Sequence, residues 1–83
     1  MTDALDGNAI AGLLRVIFGS EMTTAIGTCA TCGSASVLAE LVVYLQAPGT
    51  VARCPVCGNI MMVFVRRREL TCVDLRGMAD LAA

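Results

Sequence analysis

A small α+β fold closed by a bound metal is what this sequence predicts, and three observations carry the prediction. Four cysteines fall in two C-x-x-C-G elements, Cys29-Ala30-Thr31-Cys32-Gly33 and Cys54-Pro55-Val56-Cys57-Gly58, with 21 residues between Cys32 and Cys54. The N-terminal segment repeats apolar residues at helical spacing, whereas the remainder is short β-branched and aliphatic runs separated by turn residues. The chain has 83 residues, and a core of that size leaves no more than about 3–5 kcal/mol once ordering entropy is met. A staple is therefore expected, and the cysteines are placed to supply it.

The elements follow in order. Leu5, Ala9, Ile10, Leu13, Leu14, Ile17 and Phe18 share one helical face and Asn8, Gly12 and Arg15 the other, which predicts an amphipathic helix over 4–19. Asp3 or Asp6 caps it and Gly19 ends it. A partner-binding role for this helix is the rival reading, but so short a chain needs the apolar face for its own core. Residues 22–76 read as a ribbon of three to five short antiparallel strands. Met22 to Thr28 is a strand running into Cys29. Ser36 and Glu40 hint at a helix start in 37–46, yet Val42, Val43 and Tyr44 favour a strand. Pro48-Gly49 then supplies a type II turn, and Thr50 to Arg53 returns to Cys54.

Ile60 to Val65 is apolar at both parities, as in a strand covered on two faces. Arg66 to Glu69 forms a charged hairpin tip, Leu70 to Leu75 the next strand, and Gly77 its end. Residues 77–83 read as a loose tail, so 1–83 is expected to be a single domain.

Two residues between cysteines let a tight turn present both thiolates to one ion at about 2.3 Å, and two such turns complete the tetrahedron of a structural Zn²⁺ site. The glycine after each pair accepts a positive φ, and Pro55 stiffens the second turn. Cys29, Cys32, Cys54 and Cys57 are thus the expected ligands of one Zn²⁺ per chain, in a zinc ribbon. A structural zinc contributes roughly 10–16 kcal/mol in small domains, more than the core could supply. A rubredoxin-like iron electron carrier uses the same knuckles, but this chain has no Trp and three aromatics in all, Phe18, Tyr44 and Phe64. Thiol–disulfide exchange needs a thioredoxin-like βαβ setting, which is missing. Catalytic zinc needs an open position, and with no histidine the usual ligand and base are absent. The chain is accordingly not expected to be an enzyme or to take a small-molecule substrate. Cys72 reads as a small buried hydrophobe.

A net charge of −1 and a pI near 5.0 argue against a general nucleic-acid binder. The halves differ, since four acids oppose Arg15 in residues 1–49 while five arginines oppose three acids in residues 50–83. Arg66, Arg67 and Arg68 at the tip, with Arg53, are the candidates for phosphate or partner contact, and through them the alternative function is a nucleic-acid or ribosome-associated zinc ribbon; a solvated turn is the plainer reading of the tip. Apolar content is 57%, yet no run approaches a membrane span, and Asp3 and Asp6 stand where a signal peptide needs positive charge. A reducing, cytoplasmic location is expected, where paired cysteines hold metal more often than they form disulfides. One helix covers one face of a small sheet, which leaves an apolar face around Val42, Tyr44, Met62 and Phe64 for a protein partner or a homo-oligomer.

Taken together, DGNAIAGLL, EMTTAIGTCATCG, APGTVARCPVCG and VDLRG resemble a family of small bacterial proteins, mainly actinobacterial, catalogued as a domain of unknown function and regarded as zinc ribbons. The resemblance runs from Asp6 to Gly77. It implies zinc at the four knuckle cysteines and a cytoplasmic location, and it implies no activity.

Overall fold

Residues 5–46 and 49–82 are described by the computed structural model, and they form two antiparallel sheets around a shared core. The helix α1 spans Ala11–Phe18, and the strands are β1 (Ile26–Cys29), β2 (Ala35–Val37), β3 (Val42–Gln46), β4 (Gly49–Arg53), β5 (Ile60–Arg67), β6 (Leu70–Asp74) and β7 (Met78–Ala82). One sheet runs β2-β1-β7 and the other β3-β4-β5-β6. The small α+β class with one N-terminal helix and antiparallel strands is as expected, but the described residues hold seven strands in place of three to five. No helix among the described residues is long and apolar enough to cross a membrane.

The N-terminal helix is shorter than 4–19. Leu5 is extended, because its N–H donates to the Val43 carbonyl at 2.8 Å and its carbonyl accepts from the Val43 N–H at 2.7 Å. Asp6 then caps a 3-10 turn at Gly7–Ile10 by accepting from the Asn8 N–H at 3.0 Å, and α1 follows. Gly19, with φ 75°, ends it. Ile10 and Leu14 are buried in one cluster with Val43, Ala52, Met62 and Phe64, so this segment does cover one face of the larger sheet.

The expected strand over Met22 to Thr28 begins later, at Ile26, since Thr23 to Ala25 form a turn. A 3-10 turn, Leu38–Glu40, precedes β3, so the helical hint of Ser36 and Glu40 amounts to one turn before the Val42–Gln46 strand. Of the expected Pro48-Gly49 turn, Pro48 lies outside the described residues, and Gly49 is the first residue of β4.

Of the expected loose tail over 77–83, residues 78–82 form a strand and residue 83 lies outside the described residues. Met78–Ala82 is β7, paired antiparallel to β1 with Ile26 opposite Ala82 and Thr28 opposite Asp80. The mixed pattern MADLA carries little strand signal; pairing with β1 and the partial burial of Met78 and Leu81 against the core make the strand.

The double parity of Ile60 to Val65 has a local cause. Ala52 pairs with Met62 and Arg53 with Ile60, so Met61 is an extra residue, a β-bulge. Met61 and Met62 are consequently both buried, at 1% and 0% exposure. Beyond the bulge the strand alternates normally. Met62 and Phe64 point to the core, whereas Val63 and Val65 share the outer face with Val42, Tyr44 and Val51. The expected interface of Val42, Tyr44, Met62 and Phe64 is therefore corrected: Met62 and Phe64 are core, and only Val42 and Tyr44 of the four face outward, both half-buried.

Candidate metal centre

Each C-x-x-C-G element is the turn of its own hairpin, the first between β1 and β2 and the second between β4 and β5. The two turns are built alike. The Gly33 N–H donates to the Cys29 carbonyl at 2.9 Å and the Gly58 N–H to the Cys54 carbonyl at 3.0 Å. The Cys29 N–H donates to Ser34 at 2.9 Å and the Cys54 N–H to Asn59 at 2.8 Å. Gly33 and Gly58 have φ of 76° and 79°, a conformation that costs a side-chain-bearing residue but not glycine. In each turn the first cysteine is buried and the second exposed.

Because the hairpins belong to different sheets, the thiols meet between the sheets. All four Sγ atoms lie within 4.8 Å of one another, with Cys29 to Cys57 at 3.6 Å and Cys32 to Cys54 at 3.7 Å. A tetrahedron of sulfurs at about 2.3 Å from a central ion has edges of about 3.8 Å, so both cross-turn distances fit a single ion. This is a four-cysteine site that could hold a metal ion.

The surroundings favour the thiolate at the two exposed cysteines and oppose it at Cys54. The Ser34 hydroxyl and N–H bring Cys32 down to about 6. The backbone and side-chain amides of Asn59 lower Cys57, the side-chain amide standing 3.4 Å from its Sγ. Burial raises Cys54, against the N–H groups of Cys57 and Val56, the latter at 3.4 Å. Ser34 and Asn59 thus share one role, and the sequence signal was available: each stands two residues after the second cysteine of its turn. Two further supports lie outside either motif. The Ala30 N–H donates to the Gly77 carbonyl at 2.9 Å, tying the first turn to the β6–β7 connection. An Arg53 guanidinium N–H donates to the Gly58 carbonyl at 2.9 Å while the cation sits 5.9 Å from the Tyr44 ring centroid.

The remaining expected site residues separate. Arg66, Arg67 and Arg68 are exposed at the β5–β6 tip, and Arg68 adopts φ 56° in the turn. Arg53 stands opposite Ile60, at the metal end of β5, about 23 Å along the strand from Arg67 at some 3.3 Å per residue. Arg53 and the tip therefore stand at opposite ends of β5. Cys72 is exposed on β6 and is not a buried hydrophobe; β6 lies at the sheet edge, where no element covers it among the described residues.

Two hairpin knuckles from adjoining antiparallel sheets, converging four cysteines on one point, define a small α+β protein consistent with a metal-stabilised zinc ribbon. The chain belongs to the family described as "Family of unknown function (DUF6510)", whose model matches residues 1–83. No curated protein and no solved structure matches it.

Proposed function

We propose that this protein is a non-catalytic zinc module. One Zn²⁺ held by Cys29, Cys32, Cys54 and Cys57 fixes the fold, and the folded surface works by contact with a protein partner or with further copies of the chain, in the cytoplasm. The cross-turn sulfur distances of 3.6 and 3.7 Å carry the reading, because they suit a closed four-thiolate shell with no place for substrate. Zinc is favoured over iron by the core, where Phe64 is the one aromatic among the buried residues described. The contact surface is the outer face of the larger sheet, with Val42, Tyr44, Val51, Val63 and Val65 half-buried on it.

Elemental analysis of protein purified from a cytoplasmic host is the test. About one zinc per chain is expected, with loss of structure on chelation; a folded, metal-free protein or a red iron-loaded one overturns the proposal. One observation favours a second reading: the three tip arginines are exposed and none joins an ion pair among the described residues, which suits nucleic-acid phosphate. RNA binding that weakens steeply with salt and is lost on changing Arg66, Arg67 and Arg68 to Ala would establish it.

A further inference from the structure

The larger sheet has one guarded edge and one open edge. At β3 the hydrogen bonds of Leu5 to Val43 occupy the edge. At β6 no further strand follows among the described residues, and Leu70 and Val73 are 72% and 38% exposed. Edge strands are commonly protected by proline, a bulge or charges. β6 has no proline, pairs with β5 without a register shift, and carries one charge, Asp74, which Arg76 binds at 2.7 Å.

The register with β5 fixes which backbone groups are free. Arg67 pairs with Leu70 across the two-residue turn Arg68-Glu69, then Val65 with Cys72 and Val63 with Asp74. The pair closing a two-residue hairpin exchanges its hydrogen bonds, and bonded and non-bonded pairs alternate along an antiparallel ladder. Leu70, Cys72 and Asp74 therefore bond to β5, while Thr71 and Val73 turn their N–H and C=O groups to the open side.

We propose that this edge pairs with β6 of a second copy, antiparallel, about a two-fold axis at Cys72. The inference rests on the reading above that the protein works by contact; it adds the β6 edge to the outer face named there and names a second copy as the occupant of that edge. Thr71 then bonds to Val73 of the partner subunit, and Val73 to Thr71 of the partner subunit, so both outward residues of each strand are satisfied. The residue on the axis is neutral, and the two larger sheets join into one continuous sheet with their outer faces on the same side. The comparison with β7 decides for β6. β7 has the same length, but its midpoint is the exposed Asp80, and symmetric pairing there sets two carboxylates face to face. A β6-to-β7 contact is heterologous and does not close as a pair of copies.

Sedimentation and amide hydrogen exchange on the zinc-loaded full chain test the proposal, with zinc content measured on the same samples. A monomer of 8.6 kDa in dilute solution should give way to a dimer as concentration rises. Over that range the Thr71 and Val73 amides should slow by at least about tenfold, as expected when open-edge N–H groups become paired. Val73→Pro should stay monomeric with zinc bound, because the lost N–H is not one that β5 uses and edge strands tolerate such a proline. A chain that remains at 8.6 kDa up to about 1 mM, beyond which even a weak interface has no standing, overturns the proposal. So does a dimer whose Thr71 and Val73 amides exchange as in dilute solution, or one that Val73→Pro leaves intact. The exchange readout needs no variant to fold. A zinc-loaded monomer refutes the edge pairing alone, whereas folded zinc-free protein refutes the zinc module.

Discussion

Gly77→Ala places a methyl group where the fold has no room for one. A Cβ at this position would stand 1.9 Å from the Ile60 carbonyl oxygen, 2.8 Å from its carbon and 2.8 Å from the Met61 Cα, all of them backbone atoms. No side chain can rotate to relieve the clash, so the β6–β7 connection must retreat by about 1.5 Å to reach an ordinary contact of 3.4 Å. Overpacking of this kind costs about 1–3 kcal/mol. The retreat also pulls the Gly77 carbonyl from the Ala30 N–H, now 2.9 Å away, and a lost backbone hydrogen bond adds about 1 kcal/mol. The expected destabilisation is about 2–4 kcal/mol, a large share of what a domain of this size retains. Gly12→Ala is the control of opposite sign. Gly12 is exposed within α1 with nothing within 4 Å of an added Cβ, so alanine there should stabilise by about 0.5–1 kcal/mol. Urea unfolding of both variants at fixed free zinc measures the pair. If Gly77→Ala unfolds within about 0.5 kcal/mol of the parent, the packing of the β6–β7 connection against β5 is not as described.

Three further outcomes are expected. Serine at Cys29, Cys32, Cys54 or Cys57 should abolish tight zinc binding and unfold the chain, whereas Cys72→Ala, at an exposed position, should change the unfolding free energy in urea by less than about 0.5 kcal/mol; circular dichroism with zinc titration separates the four from the one. Ser34→Ala or Asn59→Ala removes a donor that keeps Cys32 or Cys57 below the usual thiol range, so the proton competes better for the sulfur. Either should weaken zinc by roughly 10- to 100-fold and let it leave at a higher pH as the solution is acidified, read with a chromophoric chelator. Phe64→Ala should cost about 3–5 kcal/mol in unfolding experiments, because the ring is 1% exposed, while Tyr44→Ala on the half-buried outer face should cost clearly less.

What the sequence by itself determined was local. Two residues between cysteines and a glycine after them dictate a turn that presents two sulfurs, whatever surrounds it, and both turns form as that chemistry requires. Asp6 and Gly19 mark the ends of the helical segment for equally local reasons, a side-chain acceptor and a left-handed residue. Tertiary structure decided what depends on a distant partner. MADLA becomes a strand because β1 offers it a ladder, and Leu5 leaves the helix because Val43 offers two hydrogen bonds. Met61 is buried because a bulge in β5 turns it inward, which parity counting along a regular strand cannot anticipate. The separation of Arg53 from the tip arginines and the open edge at Cys72 likewise follow from strand length and strand order, quantities fixed by pairing across the sheet and not by neighbours in the chain.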